Sequence, residues 1–112
     1  MATYSKVFLS SSVDGKAISV TTNDTSIHTA QAGTSGMDEV WLYAHNNGTT
    51  TLELTINWGG NTGDDQFSLD VAPAAGLVLV SPGLSINNGQ EIQASSSADT
   101  IGITGYINRI TA

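Results

Sequence analysis

The sequence contains no cysteine, only two histidines and only three basic residues among its 112 residues. Without cysteine, neither a disulfide framework nor a thiolate metal site can form. Binding to a nucleic acid needs clustered lysine and arginine to neutralise phosphates. The net charge of −7 also opposes an anionic membrane surface. We therefore expect no direct nucleic-acid partner and no membrane partner.

The sequence shows neither a membrane-spanning helix nor the pattern of a signal peptide. No apolar stretch approaches the roughly 20 residues of a membrane-spanning helix. The first residues show no basic segment followed by an apolar run, which a signal peptide would need. The absence of cysteine does not fix the compartment, but it fits a protein that folds in a reducing cytosol.

The chain does contain many short segments rich in β-branched, aromatic and leucine residues. Clusters of glycine, proline, asparagine and aspartate separate these segments, which are Val40–Ala44, Leu52–Trp58, Gln66–Val71, Leu77–Ser81, Glu91–Ala94 and Thr100–Ile110. This pattern predicts an all-β fold, an antiparallel, jelly-roll-like β-sandwich of about nine short strands. We expect a single domain over residues 1–112.

The strongest predicted strand runs from Asp38 to Asn46. Alternation places Val40, Leu42 and Ala44 on one face and Trp41 and Tyr43 on the other. An outward aromatic pair is typical of a protein interface or of a platform for stacking sugars. The alternative is a strand covered on both faces, with both aromatic residues in the core. We predict that Trp41 and Tyr43 are interface residues.

Turn residues predict how the strands connect. Asp14-Gly15, Asn46-Asn47-Gly48 and Asn87-Asn88-Gly89 each favour a β-hairpin, because asparagine, aspartate and glycine tolerate positive φ. Leu77–Val80 is apolar on both faces, which predicts a central or covered strand.

The few reactive side chains do not form a recognisable catalytic motif. His28 and His45 lack metal-ligand spacing, and the loop Asn61–Asp65 offers oxygen ligands for calcium without the regular spacing of a calcium loop. The carboxylate pairs Asp38-Glu39 and Asp64-Asp65 could serve a glycosidase, but each borders a strand, where charge is common. We expect no enzymatic activity, no catalytic residue, no metal and no cofactor.

Several segments carry a resemblance to a known group of proteins. The most distinctive are Trp58-Gly59-Gly60 and the ending Gly105–Ile110; the others are Thr25–Ala30, Gly33-Thr34-Ser35, Asp38–Ala44, Gly76–Gly83 and Asn88-Gly89. Over most of its length the chain resembles small virion proteins of tailed bacteriophages, including phages of cyanobacteria.

The resemblance implies a capsid decoration, or cement, protein located on the capsid exterior. It implies a homotrimer whose partner is the major capsid protein, made in the host cytoplasm. No functional residue is carried over from the family. The alternative is a carbohydrate-binding module of a phage tail or fibre, using Trp41, Tyr43, Trp58 and the loop Gly59–Asp65.

Overall fold

The computed structural model describes residues 2–112, which form nine strands and one short 3-10 helix. The strands are β1 (Thr3–Val7), β2 (Ile18–Val20), β3 (Thr25–Thr29), β4 (Met37–His45), β5 (Leu52–Trp58), β6 (Gln66–Val71), β7 (Val78–Ile86), β8 (Glu91–Ser96) and β9 (Ile101–Thr111). The 3-10 helix is Gly63–Asp65. Within this range no helix is both long and apolar enough to cross a membrane.

The strands form two antiparallel sheets. Sheet A has the order β1-β9-β4-β7, with β2 also paired to β9, and sheet B has the order β3-β8-β5-β6. Of the strand pairs in residues 2–112, only β5 and β6 are consecutive in the chain. The nine-stranded antiparallel sandwich predicted from the sequence is confirmed, whereas its description as a jelly roll stays a prediction.

The core lies between the two sheets and follows from the period-2 alternation. Val40, Leu42 and Ala44 of β4 are fully buried, and they belong to the same core cluster as Leu54 and Ile56 of β5 in the other sheet. Fully burying each leucine, isoleucine or valine side chain contributes roughly 1.5–3 kcal/mol before entropy is counted. Sheet A therefore turns Trp41 and Tyr43 away from this core.

The predicted hairpins are wrong, although part of their turn chemistry is right. Asn88 and Gly89 do have positive φ, 58° and 67°, but their turn joins β7 of sheet A to β8 of sheet B. The turn after β4 likewise leads into the other sheet; there the buried Asn46 amide donates to the carbonyls of Thr50 and Val71. β1 and β2, on either side of Asp14-Gly15, pair with β9. Turn residues determine the local φ angles, but they do not determine which sheet the following strand joins.

β7 also differs from its prediction, because it is an edge strand of sheet A. Leu77 and Leu79 are 62% and 49% exposed. The prediction of a central or covered strand is therefore wrong, because no strand of residues 2–112 pairs with the outer edge of β7.

Candidate functional site

The outer faces of the two sheets differ in chemistry. On sheet B the outward positions are polar, and Thr55 and Ser68 form a cross-strand hydroxyl hydrogen bond there. On sheet A the outward positions carry the aromatic residues Trp41, Tyr43 and Tyr106, of which Trp41 and Tyr106 lie opposite each other in register. Groups suited to binding a partner are therefore concentrated on the outer face of sheet A.

Trp41 is held in place by its own sheet. Its ring stacks on Tyr106 with centroids 6.1 Å apart and planes 13° apart. Gly83 lies next to the indole with φ +81°, and a side chain there would collide with the ring. Tyr43 lies opposite Leu79 of the edge strand. Both predicted interface residues are half-buried outside the core, and their role in an interface stays a prediction.

Exposed apolar side chains lie at two sides of sheet A, in the connection between β1 and β2 on one side and along the edge strand β7 on the other. Phe8 and Val13, in the segment after β1, are 54% and 89% exposed. This segment runs beside β3, because the main-chain N–H of Ser11 donates to the carbonyl of Ile27. At the other edge, Leu79 on β7 is exposed, as are Leu77 and Leu84. Exposed apolar edges are typical of surfaces that associate.

The most strongly bonded polar group is the carboxylate of Asp38, which the sequence analysis considered only as half of the pair Asp38-Glu39. Asp38 is fully buried, and Arg109 donates to it from Nε and Nη2, both at 2.9 Å. His28 Nε2 lies 2.8 Å from Oδ2. The main-chain N–H and side-chain amide of Gln31 donate at 3.2 and 3.1 Å. These groups link β3, β4 and β9, so Asp38 fastens the two sheets together.

Ser10, His28 and Asp38 have the composition of a catalytic triad. Ser10 Oγ lies 2.8 Å from His28 Nδ1, and the main-chain N–H of Ser10 also donates to Nδ1. We therefore assign the proton to Nε2, which donates to Asp38. A general base needs a free lone pair and access to substrate. Nδ1 already accepts the Ser10 N–H, and the imidazole is 1% exposed, so the geometry favours a structural role.

Burial and bonding shift the pKa values in this cluster. Burial lowers the pKa of His28 below its ordinary 6.5, and the neighbouring Asp38 only partly offsets this. Burial alone would raise the pKa of Asp38, but the hydrogen bonds from Arg109 and His28 outweigh it and hold that pKa below 3.8. At neutral pH the cluster therefore contains a neutral imidazole, a carboxylate and a guanidinium.

We expect the free energy of unfolding to fall as the pH drops below about 6.5, because the unfolded state then binds a proton that native His28 resists. The contribution of His28 to the free energy of unfolding is fully present above the pKa of histidine in the unfolded chain, and it is lost as the pH falls toward the lowered pKa of native His28. His28→Gln keeps a donor toward Asp38 and should flatten the change between about pH 7.5 and 5.5. Urea unfolding at each pH measures it. A wild-type slope in His28→Gln over this range would contradict the assignment of the change to His28.

Trp58 and the two carboxylate pairs, which the sequence analysis also considered, do not come together in one site. Trp58 packs against Phe67 of sheet B, with ring centroids 6.3 Å apart, and contacts the core, so it does not share a face with Trp41. Asp38 and Glu39 point to opposite sides of β4, as successive strand residues must. Asp64 and Asp65 lie in the exposed 3-10 helix. Residues 2–112 contain no group of three or more histidine, aspartate or glutamate side chains suited to a metal.

Comparison with protein-family models, with curated proteins and with solved structures gives no match for this chain. The resemblance to phage virion proteins therefore stays a prediction from the sequence segments.

Proposed function

We propose that this chain is a structural protein of a tailed-phage virion, a capsid decoration protein that forms a homotrimer and binds the major capsid protein on the capsid exterior. The observation that carries the proposal is the placement of exposed apolar side chains in the β1–β2 connection and along β7, on opposite sides of sheet A. The sequence resemblance supports the location in the virion, and the two edges supply a means of association.

The two edges carry different residues, so they favour contact between unlike edges. Phe8 and Val13 lie in the connection between β1 and β2, beside one edge, and Leu77, Leu79 and Leu84 lie at the β7 edge. A contact between unlike surfaces is heterologous, and it closes into a ring when the rotation between copies allows. A trimer is the ring that would fit a local three-fold position.

Side chains rather than continued strand pairing would hold such a contact. β7 contains Pro82, and its register with β4 shifts twice, which interrupts the row of backbone groups that a neighbouring strand would need. Charged residues make up only 12% of the chain, so few charges would be desolvated. Many copies on one capsid would add their weak contacts by multivalency.

A pair of edge variants tests the unlike-edge contact. Leu79→Glu and Phe8→Glu should each abolish the trimer, because each buries an unpaired carboxylate in the contact. An equimolar mixture of the two should form a heterodimer, since one intact pair of edges remains between them. Sedimentation velocity measures the masses.

Met37→Glu serves as the control, because Met37 is 40% exposed but lies on neither edge strand. This variant should remain trimeric. Persistence of the trimer in both edge variants would contradict the proposed contact.

Capsid binding tests the other part of the proposal. The purified chain should co-sediment with empty capsids of the phage that encodes it and reach saturation. Mass spectrometry should find it in purified virions. A chain that stays in the supernatant at all concentrations and is absent from virions is not a decoration protein.

A further inference from the structure

Three polar side chains form a row across the outer face of sheet A. Lys6 on β1 pairs in register with Asn108 on β9, which pairs with Glu39 on β4. Because neighbouring strands lie about 4.8 Å apart, the row is about 10 Å long between its outer backbones. It offers, in order, a cation that only donates, an amide that donates and accepts, and a carboxylate that only accepts.

Aromatic side chains flank this row on both sides. On one side, Tyr106 precedes Asn108 by two residues on β9. The Lys6 ammonium lies 4.7 Å from the centre of the Tyr106 ring, and this cation–π contact positions the charge. On the other side, the ring of Tyr4 is 73% exposed. Tyr4, Ser5, Lys6, Glu39 and Asn108 line an open cleft of about 310 Å³, which is at the small end of ligand pockets.

Apart from the cation–π contact of Lys6 with Tyr106, the polar groups of the row have no side-chain partners within residues 2–112. In residues 2–112 the ion pairs are Lys16–Asp14, His28–Asp38 and Arg109–Asp38, so neither Lys6 nor Glu39 takes part in one. No side-chain hydrogen bond within this range satisfies the Asn108 amide. The contrast with Asp38, whose oxygens accept from Arg109, His28 and Gln31, shows that the fold can satisfy polar groups and leaves these three free for a ligand.

The ligand must match both the exposed ring and the mixed donors and acceptors. A phosphate is disfavoured by Glu39 and by the net charge of −7. A purely apolar ligand would desolvate three polar groups without replacing their hydrogen bonds. A pyranose has an apolar C–H face that fits an aromatic ring, and hydroxyls at its rim that both donate and accept. We propose that this cleft binds a pyranose unit of a neutral carbohydrate, with Tyr4 as the stacking platform.

The test is titration of the isotope-labelled chain with the neutral methyl pyranosides of glucose, galactose, mannose, rhamnose and N-acetylglucosamine, followed by amide NMR. At least one sugar should shift resonances confined to the strands around Tyr4, Asn108 and Glu39. Tyr4→Ala should weaken that binding about tenfold or more, and Tyr4→Phe should retain it. Thr55→Ala, which removes a side chain on the outer face of sheet B, should leave the affinity unchanged.

Three results would overturn the proposal. The first is that none of the five sugars shifts any resonance at concentrations up to about 50 mM, which is well above a millimolar dissociation constant. The second is that the shifts are centred elsewhere, for example on the cleft lined by His45, Asn47 and Asp99. The third is that glucose 6-phosphate binds more strongly than the neutral glucoside. Tyr4 is exposed, so Tyr4→Ala should fold, and an unchanged NMR spectrum outside the cleft verifies this. Because Tyr4 and Lys6 lie on the edge strand β1, the titration is also carried out on Phe8→Glu, which the decoration proposal expects to be monomeric. Absence of sugar binding by this variant overturns the sugar proposal alone, since no trimer contact then covers the cleft.

Discussion

Replacing Asp38 with asparagine is expected to lower the free energy of unfolding by about 3–5 kcal/mol, which is the usual cost of removing one partner of a buried ion pair. Every group that bonds to Asp38 is a donor, on Arg109, His28 or Gln31. Asparagine would present a second set of donors to them and would leave Arg109 without its counter-charge. Urea denaturation with the m-value compared between variants measures the loss.

Asp70→Asn is the matched control for Asp38→Asn, since Asp70 is exposed on sheet B and its replacement should change stability by less than about 0.5 kcal/mol. Combining Asp38→Asn with Arg109→Gln should cost clearly less than the sum of the two single changes, because the two side chains share the same hydrogen bonds. A loss below about 1 kcal/mol for Asp38→Asn would show that this cluster does not fasten the sheets.

Replacing Gly105 with alanine should be the second most damaging change. A Cβ at this position would overlap the main-chain carbonyl oxygen of Trp41 on the adjacent strand. Backbone cannot rotate away, so β4 and β9 would have to separate. We expect a loss of about 3 kcal/mol, the upper end of the usual cost of overpacking. The tryptophan emission of Trp41 should change as well, because its strand moves.

Gly102→Ala provides a comparison in the same strand. A Cβ there would overlap the imidazole of His45, which is a side chain and can turn aside. The cost should therefore be about 1 kcal/mol. Equal losses for the two glycine variants would argue against the close approach of β9 to the Trp41 backbone.

Much of the fold could be predicted from alternation along single strands. The pattern of Val40, Leu42 and Ala44 against Trp41 and Tyr43 predicts the two faces of β4 as the structure has them. Strand partners could not be predicted this way, because turns such as Asn87-Asn88-Gly89 specify only local dihedral angles. For the same reason, the apolar residues of Leu77–Val80 predict a central or covered strand, whereas β7 lies at an edge.

The Asp38 cluster shows a signal that sequence reasoning could have used. Asp38 has the same parity as the buried Val40 and Leu42, and Arg109 has the same parity as the buried Ile107. A charge at an inward position of a strand needs a buried partner, so these two residues could have been paired in advance. The third member, His28, is not predictable from alternation because a register shift interrupts β3 next to it.

The cleft at Lys6, Asn108 and Glu39 was not predictable because its three residues come from distant parts of the chain. Only the register of β1, β9 and β4 brings them into one row. The exposed position of Tyr4 likewise depends on β1 lying at a sheet edge.

The most direct test of the proposed structural role is the solution mass of the purified chain, measured by light scattering over a wide range of concentrations. Association through the unlike edges of sheet A predicts a closed trimer, three times the chain mass of 11.6 kDa, whose mass stays constant once the ring has formed. A mass equal to one chain at every concentration would contradict a self-associating decoration protein.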